Sequence, residues 1–94
     1  MWEKTFDGDV NALAVTSKAV YAGGHFHQND GTGREKLAAF DGATGALDGW
    51  NPGADSITGV YAVHAGSSHL WTGGDFTVIG GRTQPRIAGF PGAP

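Results

Sequence analysis

The sequence predicts an all-β fold made of two four-stranded repeats, and three observations carry that expectation. Gly accounts for 17 of the 94 residues with no collagen period, which points to many turns and few helices. No window sustains helical periodicity; short runs of small and apolar residues alternate with Asp, Gly and Ser instead. The third observation is an internal echo: "YAGGHF" at 21–26 returns fifty residues later as "WTGGDF" at 71–76.

A fixed offset of fifty lays residues 23–43 on 73–93 without a gap, and eight of those 21 positions are identical. They include Gly23/Gly73, Gly24/Gly74, Phe26/Phe76, Ala38/Ala88 and Phe40/Phe90, while Lys36/Arg86 and Leu37/Ile87 are conservative. Upstream, 12–26 pairs with 60–76 if the second copy carries two extra residues between Val63 and Trp71. Trp2 is the counterpart of Trp50, so repeat one runs from about 2 to 49 and repeat two from 50 to 94, within a single 1–94 segment.

Each element has a local reason. Residues 10–15 are a nearly continuous small and apolar run, the pattern of a strand covered on both faces. Ser17 and Lys18 form a tight turn, and 19–22 make a second strand ended by Gly23 and Gly24. The polar stretch 27–35 reads as a loop, and 37–40 as a third strand. The Asp- and Gly-rich 41–45 is a turn, and the segment ending at Trp50 is a weaker fourth strand. Four short strands in 40–50 residues match one β-propeller blade. The paired glycines let the backbone turn, and Phe26 and Phe76 wedge between neighbouring blades. Trp2, Trp50 and Trp71, with Phe40 and Phe90, recur by repeat position and read as packing residues.

The stretches "ALAV", "VYAGG", "AAFDGATGALDGWNPGAD" and "WTGGDFTVIGG" resemble the β-propeller repeat of many secreted or surface actinobacterial proteins. The resemblance covers nearly the whole chain. It implies the propeller fold and an extracellular or cell-surface location, and it brings little chemistry. The chain departs from the pattern at His25 and His27, where the family has the Asp and Thr seen here at Asp75 and Thr77. Pro91 stands where repeat one has Asp41.

The strand order reads d-abc-d-abc, with residues 2–6 as a fourth strand ahead of the first three. Two blades leave two apolar faces and a strand edge uncovered. The expectation is head-to-tail assembly of identical chains, with residues 2–6 of one completing the blade of 87–90 in the next. Because propellers hold roughly 4–8 blades, the ring takes two to four chains, or five if a larger ring is accepted. The rival is that further blades of a longer chain supply the cover.

Six scattered basic residues and a net charge of −3 leave no basic stripe for a phosphate backbone, so nucleic acid is not an expected partner. The chain has no run of about 18 apolar residues, so no membrane span is expected, and "MWEKTFDGD" has no apolar signal core. Cysteine is absent, which removes disulfides and thiolate metal sites.

Candidate chemistry is sparse. His25 and His27 fall on one face of an extended segment and would need His64 or Asp30 to complete a zinc or copper site; as loop residues they need no metal. "DGDVN" (7–11) begins like a calcium loop but lacks the later Gly and Glu, and Asp9, echoing Asp55, reads better as a turn cap; "NDGTG" (29–33) is a similar loop tip. Ser67, Ser68, His69 and Asp75 have the residue types of a hydrolase triad without a G-x-S-x-G elbow, so a long hairpin turn is the better reading. No cofactor is expected and no residue is assigned as catalytic. The expected function is a non-enzymatic scaffold or binding module, with carbohydrate binding through 27–36 and 77–86 as the alternative and a metal-dependent enzyme behind both. The positions where the copies differ are the candidate ligand contacts: His25, His27, Asn29 and Asp30 in repeat one, and Asp75, Thr77 and Arg82 in repeat two.

Overall fold

Small and apolar residues on both sides of a tight turn build the first hairpin. In the computed structural model, which describes residues 3–29, 31–55 and 59–91, β1 (Asp9–Val15) runs antiparallel to β2 (Ala19–His25). The Thr16 hydroxyl oxygen accepts from the Lys18 and Ala19 N–H groups at 3.1 and 3.0 Å, which closes the turn locally. After a small hairpin of β3 (Gln28–Asn29) and β4 (Thr32–Gly33), the chain returns as β5 (Leu37–Asp41) beside β2. The sheet order is β1-β2-β5.

Repeat two builds the same object. β6 (Val60–Ala65), β7 (His69–Gly74) and β10 (Ile87–Pro91) form a sheet in the order β6-β7-β10, with β8 (Val78–Ile79) and β9 (Arg82–Thr83) as its small hairpin. The described residues are all-β, and none of them lies in a helix long and apolar enough to cross a membrane.

The register sharpens the repeat. Val10 pairs with Gly24 and Val15 with Val20, and fifty residues on Val60 pairs with Gly74 and Ala65 with Leu70. Both copies carry an irregularity at the same place, between Val10 and Ala12 and between Val60 and Ala62. The offset is therefore fifty along both hairpins, and the expected two-residue insertion between Val63 and Trp71 is not there. The extra length lies upstream, where Val10 is three residues after Asp7 but Val60 is five after Asp55.

Other expectations need correction. Gly23–Gly24 do not end strand two but lie inside β2, which runs on to His25, whereas Gly73–Gly74 are the last two residues of β7. The stretch 27–35 is a hairpin rather than a plain loop. The fourth strand before Trp50 shrinks to one bridge, Phe40 with Leu47. Residues 3–5 lie outside any strand, and Phe6 bridges Asn29 of its own chain, as Ala54 bridges Ile79. The described part of 2–6 thus matches 51–54, the segment after the fourth strand, and is not a free strand. Trp2 and Asp30 lie outside the described residues.

Strand alternation sorts each sheet into two faces. In the first, Ala14, Tyr21, Gly23, Leu37 and Ala39 share one face; Leu13, Val15, Val20, Ala22, Ala38 and Phe40 share the other. In the second, Val63, Ala65, Leu70, Thr72, Ala88 and Phe90 share one face, and His64, Trp71, Gly73, Ile87 and Gly89 the other. The core forms between unlike faces. Ala14, Ala19, Tyr21 and Ala39 cluster with Leu70, Val63, Ala65 and Phe90, and Leu37 joins Val60, Phe76, Ile79 and Ala88. Trp50 bridges the layers, edge-on to Tyr21 at 5.7 Å and to Phe90 at 5.4 Å between ring centroids. A third cluster of Ala22, Phe26, Ala38 and Phe40, with Phe6 and Leu47 against it, covers part of the first sheet's outer face.

The glycine pairs serve this stacking. A Cβ on Gly23 would lie 2.7 Å from a Val63 methyl and 2.8 Å from a Val60 methyl, so the second sheet sits directly on bare backbone. A Cβ on Gly24 would strike the Asp9 carbonyl, and on Gly74 the Gly59 carbonyl. Phe76 is fully buried, and Phe76→Ala is expected to lower stability by about 3–5 kcal/mol in urea denaturation. Gly23→Val, which drives methyls into Val60 and Val63, is expected to lower the thermal midpoint measurably.

Candidate functional site

The loops after β2 and β7 are held from below by carboxylates. Asp7 Oδ1 accepts from the backbone N–H groups of His27 at 2.8 Å and Gln28 at 2.9 Å. Asp55 Oδ1 accepts from those of Thr77 at 2.8 Å and Val78 at 2.9 Å, while its Oδ2 takes the Thr77 hydroxyl at 2.7 Å. The counterpart of Asp55 is therefore Asp7, not Asp9, which lies in β1 opposite His25. A carboxylate fed by amide hydrogens is stabilised in its charged form. The His27 amide, then that of Gln28, lowers the Asp7 pKa, and the Val78 amide followed by the Thr77 hydroxyl and amide brings Asp55 to about 2. Asp41 does the same in the 41–45 turn, where the amides of Thr44 and Ala43 lower its pKa.

The histidines do not sit idle in the loop. His25 and His27 rings are 6.4 Å apart, and His27 Nδ1 is 2.6 Å from Glu35 Oε2. Lys36 Nζ, buried, lies 3.3 Å from the same carboxylate oxygen and 3.3 Å from His27 Nδ1. At 2.6 Å Nδ1 carries a proton toward Glu35, and the ammonium stabilises the same carboxylate oxygen from beside the imidazole. Partial burial pushes the Glu35 pKa up, and the bonds from His27 and Lys36 outweigh it and hold it below its usual value. His64, proposed as a third ligand, stands on β6 opposite Trp71. Among the described residues no three His, Cys, Asp or Glu side chains gather as metal ligands.

The other candidates scatter. Asn29 is buried and donates from Nδ2 to the Thr5 carbonyl at 3.2 Å, so it positions the N-terminal segment. Asp75 accepts from Gly59 N–H at 3.3 Å, and Thr77 is engaged by Asp55. Ser68 Oγ lies 2.9 Å from His69 Nδ1 within one turn. Asp75, however, is past the far end of β7, about 20 Å along a strand rising ~3.3 Å per residue, so these groups make no triad. Asp7, Glu35 and Lys36 were missed from the sequence. Setting Trp2 on Trp50 gives an offset of 48 that places Asp7 on Asp55, a signal strong enough to have found the first.

Arg82 lines a groove of about 540 Å³ beside β10, with His69, Trp71, Ile79, Gln84 and Phe90. In repeat one the matching place is filled: Asp41 N–H donates to Ala46 O at 2.9 Å, Asp48 N–H to Ala39 O at 2.8 Å, and Arg34 Nη2 to Asp48 O at 3.0 Å. Trp71 is exposed and stacks on His69 at 5.4 Å. Comparison with protein-family models, curated proteins and solved structures returns no match.

The Asp55 clasp sets a pH dependence. Its folded pKa lies below the 3.8 of an unperturbed aspartate, so its contribution is full above that value and disappears as pH falls toward about 2. Melting curves from pH 7 to 2 are expected to show the midpoint fall in that window. Asp55→Asn should lower the midpoint at pH 7 and flatten that part of the profile.

Proposed function

We propose that the chain is a non-enzymatic β-propeller module, two stacked blades that serve as scaffold and binding surface and join like modules head-to-tail into a closed ring. The observation that carries this reading is the sense of the internal stacking. One face of the first sheet packs on the opposite kind of face of the second, with Gly23 under Val60 and Val63. Such a heterologous contact leaves one copy of each face open at the ends, and repetition closes it into a ring or extends it into a fibre. With about 4–8 blades per propeller, two to four chains complete a ring, and a fifth would make a larger one of about ten blades. Exchange of residues 2–6 is the weaker route to closure because Phe6 already pairs with Asn29 of its own chain; face packing carries the assembly.

The loop clasps fit a rigid binding rim. Asp7 and Asp55 fix two loops by the same bonds, and a ring repeats those loops around its edge, where multivalency raises avidity without new contacts. A second reading, carbohydrate binding, is favoured by exposed Trp71 beside Arg82 and Gln84 in the open groove, since aromatic faces stack on sugar rings.

Native mass spectrometry of the purified chain is expected to give one discrete species of two to five copies. A folded monomer at all concentrations would overturn the assembly. A glycan array separates the second reading: binding by wild type that is lost in Trp71→Ala, with the copy number unchanged, would favour it over a covered Trp71.

A further inference from the structure

We propose that the exposed face of the second sheet is the docking site for a second copy of this chain, which lays the outer face of its first sheet on it. This rests on the assembly reading above and names the two surfaces that meet. The internal interface is the template, because Tyr21, Gly23 and Leu37 on one side and Val60, Val63 and Ala65 on the other have counterparts fifty residues away on open faces. Ala88 and Phe90 match Ala38 and Phe40, which Phe6 and Leu47 already cover.

The exposures show how closely the template applies. Tyr21 is 2% exposed and Leu37 0%, whereas their counterparts Trp71 and Ile87 are 45% and 59% exposed. On the complementary side Val60 is 0% exposed, while Val10 is 40%, Leu13 64% and Val15 69%. Lys36 is buried and Arg86, which shares its left-handed backbone and its place in the repeat, is exposed. Sequence places on both open faces the residue types that a neighbouring sheet covers inside the chain. Neither face carries a charged strand residue in the matching rows: His64, Trp71, Gly73, Ile87 and Gly89 on one, Leu13, Val15 and Val20 on the other. Apolar patches of this kind on opposite sides of one molecule mark contact surfaces.

Gly73 is the most specific sign. Gly23 lacks room for a Cβ because Val60 and Val63 press on it, but a Cβ on Gly73 would meet only Ala62 Cβ and the Arg86 carbonyl, both at 3.8 Å. Nothing else among the described residues of its own chain presses on Gly73. In the docked pair Val10 and Leu13 of the second copy take the places of Val60 and Val63 and need that bare backbone. The groove beside β10 is continuous with this face through Trp71 and Gly89, so the arriving copy covers both.

Two variants each spoil one face. Gly73→Leu blocks the second sheet's open face, and Leu13→Glu places a carboxylate on the first sheet's outer face. Each alone is expected to sediment as a monomer at concentrations where wild type is assembled, with the far-ultraviolet circular dichroism of a folded chain. An equimolar mixture is expected to form a one-to-one heterodimer and nothing larger, because one good face remains on each partner. That rescue cannot arise from misfolded variants. Variants that assemble as wild type does would overturn the face assignment and leave ring assembly standing. Folded monomeric variants that fail to pair when mixed would also overturn it, and a wild type that is itself a folded monomer would overturn the assembly reading as well.

Discussion

Two valines lie on a glycine at the centre of this molecule. Val60 and Val63 descend onto Gly23 so closely that a single methyl there would overlap them. That contact sets the separation of the two sheets, and the rest of the core accommodates it. Tyr21 and Ala39 can be buried by Leu70 only at this spacing, and Trp50 fits edge-on between Tyr21 and Phe90. Close packing of this sort leaves little slack, so the sheets behave as one rigid stack.

The stack also determines what remains open. Unlike faces meet, so the ends of the pair differ: one presents Trp71, Ile87 and Gly73, the other Leu13, Val15 and Val10. A symmetric pairing of like faces would have buried one kind and left two identical surfaces. The loops are fixed separately, from the edge, by Asp7 and Asp55 gripping backbone amides. Core geometry and rim geometry are thus set by different interactions, which allows His25 at the end of β2 and His27 in the loop beyond it to diverge between the repeats while the stack is kept.

Much of this was legible in the sequence, for physical reasons that differ by element. The strands of each sheet could be read from short apolar runs punctuated by Gly and Asp, and the repeat from Gly23/Gly73 and Phe26/Phe76. Why the glycines recur was not legible, because the atoms that exclude a side chain at Gly23 come from the other repeat. Residues 10–15 read as covered on both faces, yet Leu13 and Val15 are exposed; the run has the composition of a covered strand and lacks its cover among the described residues. Asp7 was passed over because the two repeats differ in length between the clasp and the first strand, which drew Asp9 onto Asp55. The hairpin at 28–33 is too short to show any periodicity. His27, Glu35 and Lys36 are close in sequence, but their contact depends on the left-handed backbone at Lys36, which no residue preference announces.

The absence of cysteine offers the most direct measurement. Val10→Cys and Ile87→Cys introduced together place thiols on opposite open faces of one chain, at positions equivalent to Val60 and Leu37. Leu37 and Val60 are fully buried in one cluster, so the docked thiols meet within the interface, where a disulfide closes with Cβ atoms about 3.5–4.5 Å apart. Mild oxidation should give covalent oligomers ending in one closed species on a non-reducing gel, with neither single-cysteine variant yielding more than a dimer. Oxidised protein that remains a single unlinked chain, while wild type is assembled, would contradict the stacking of one copy on the next.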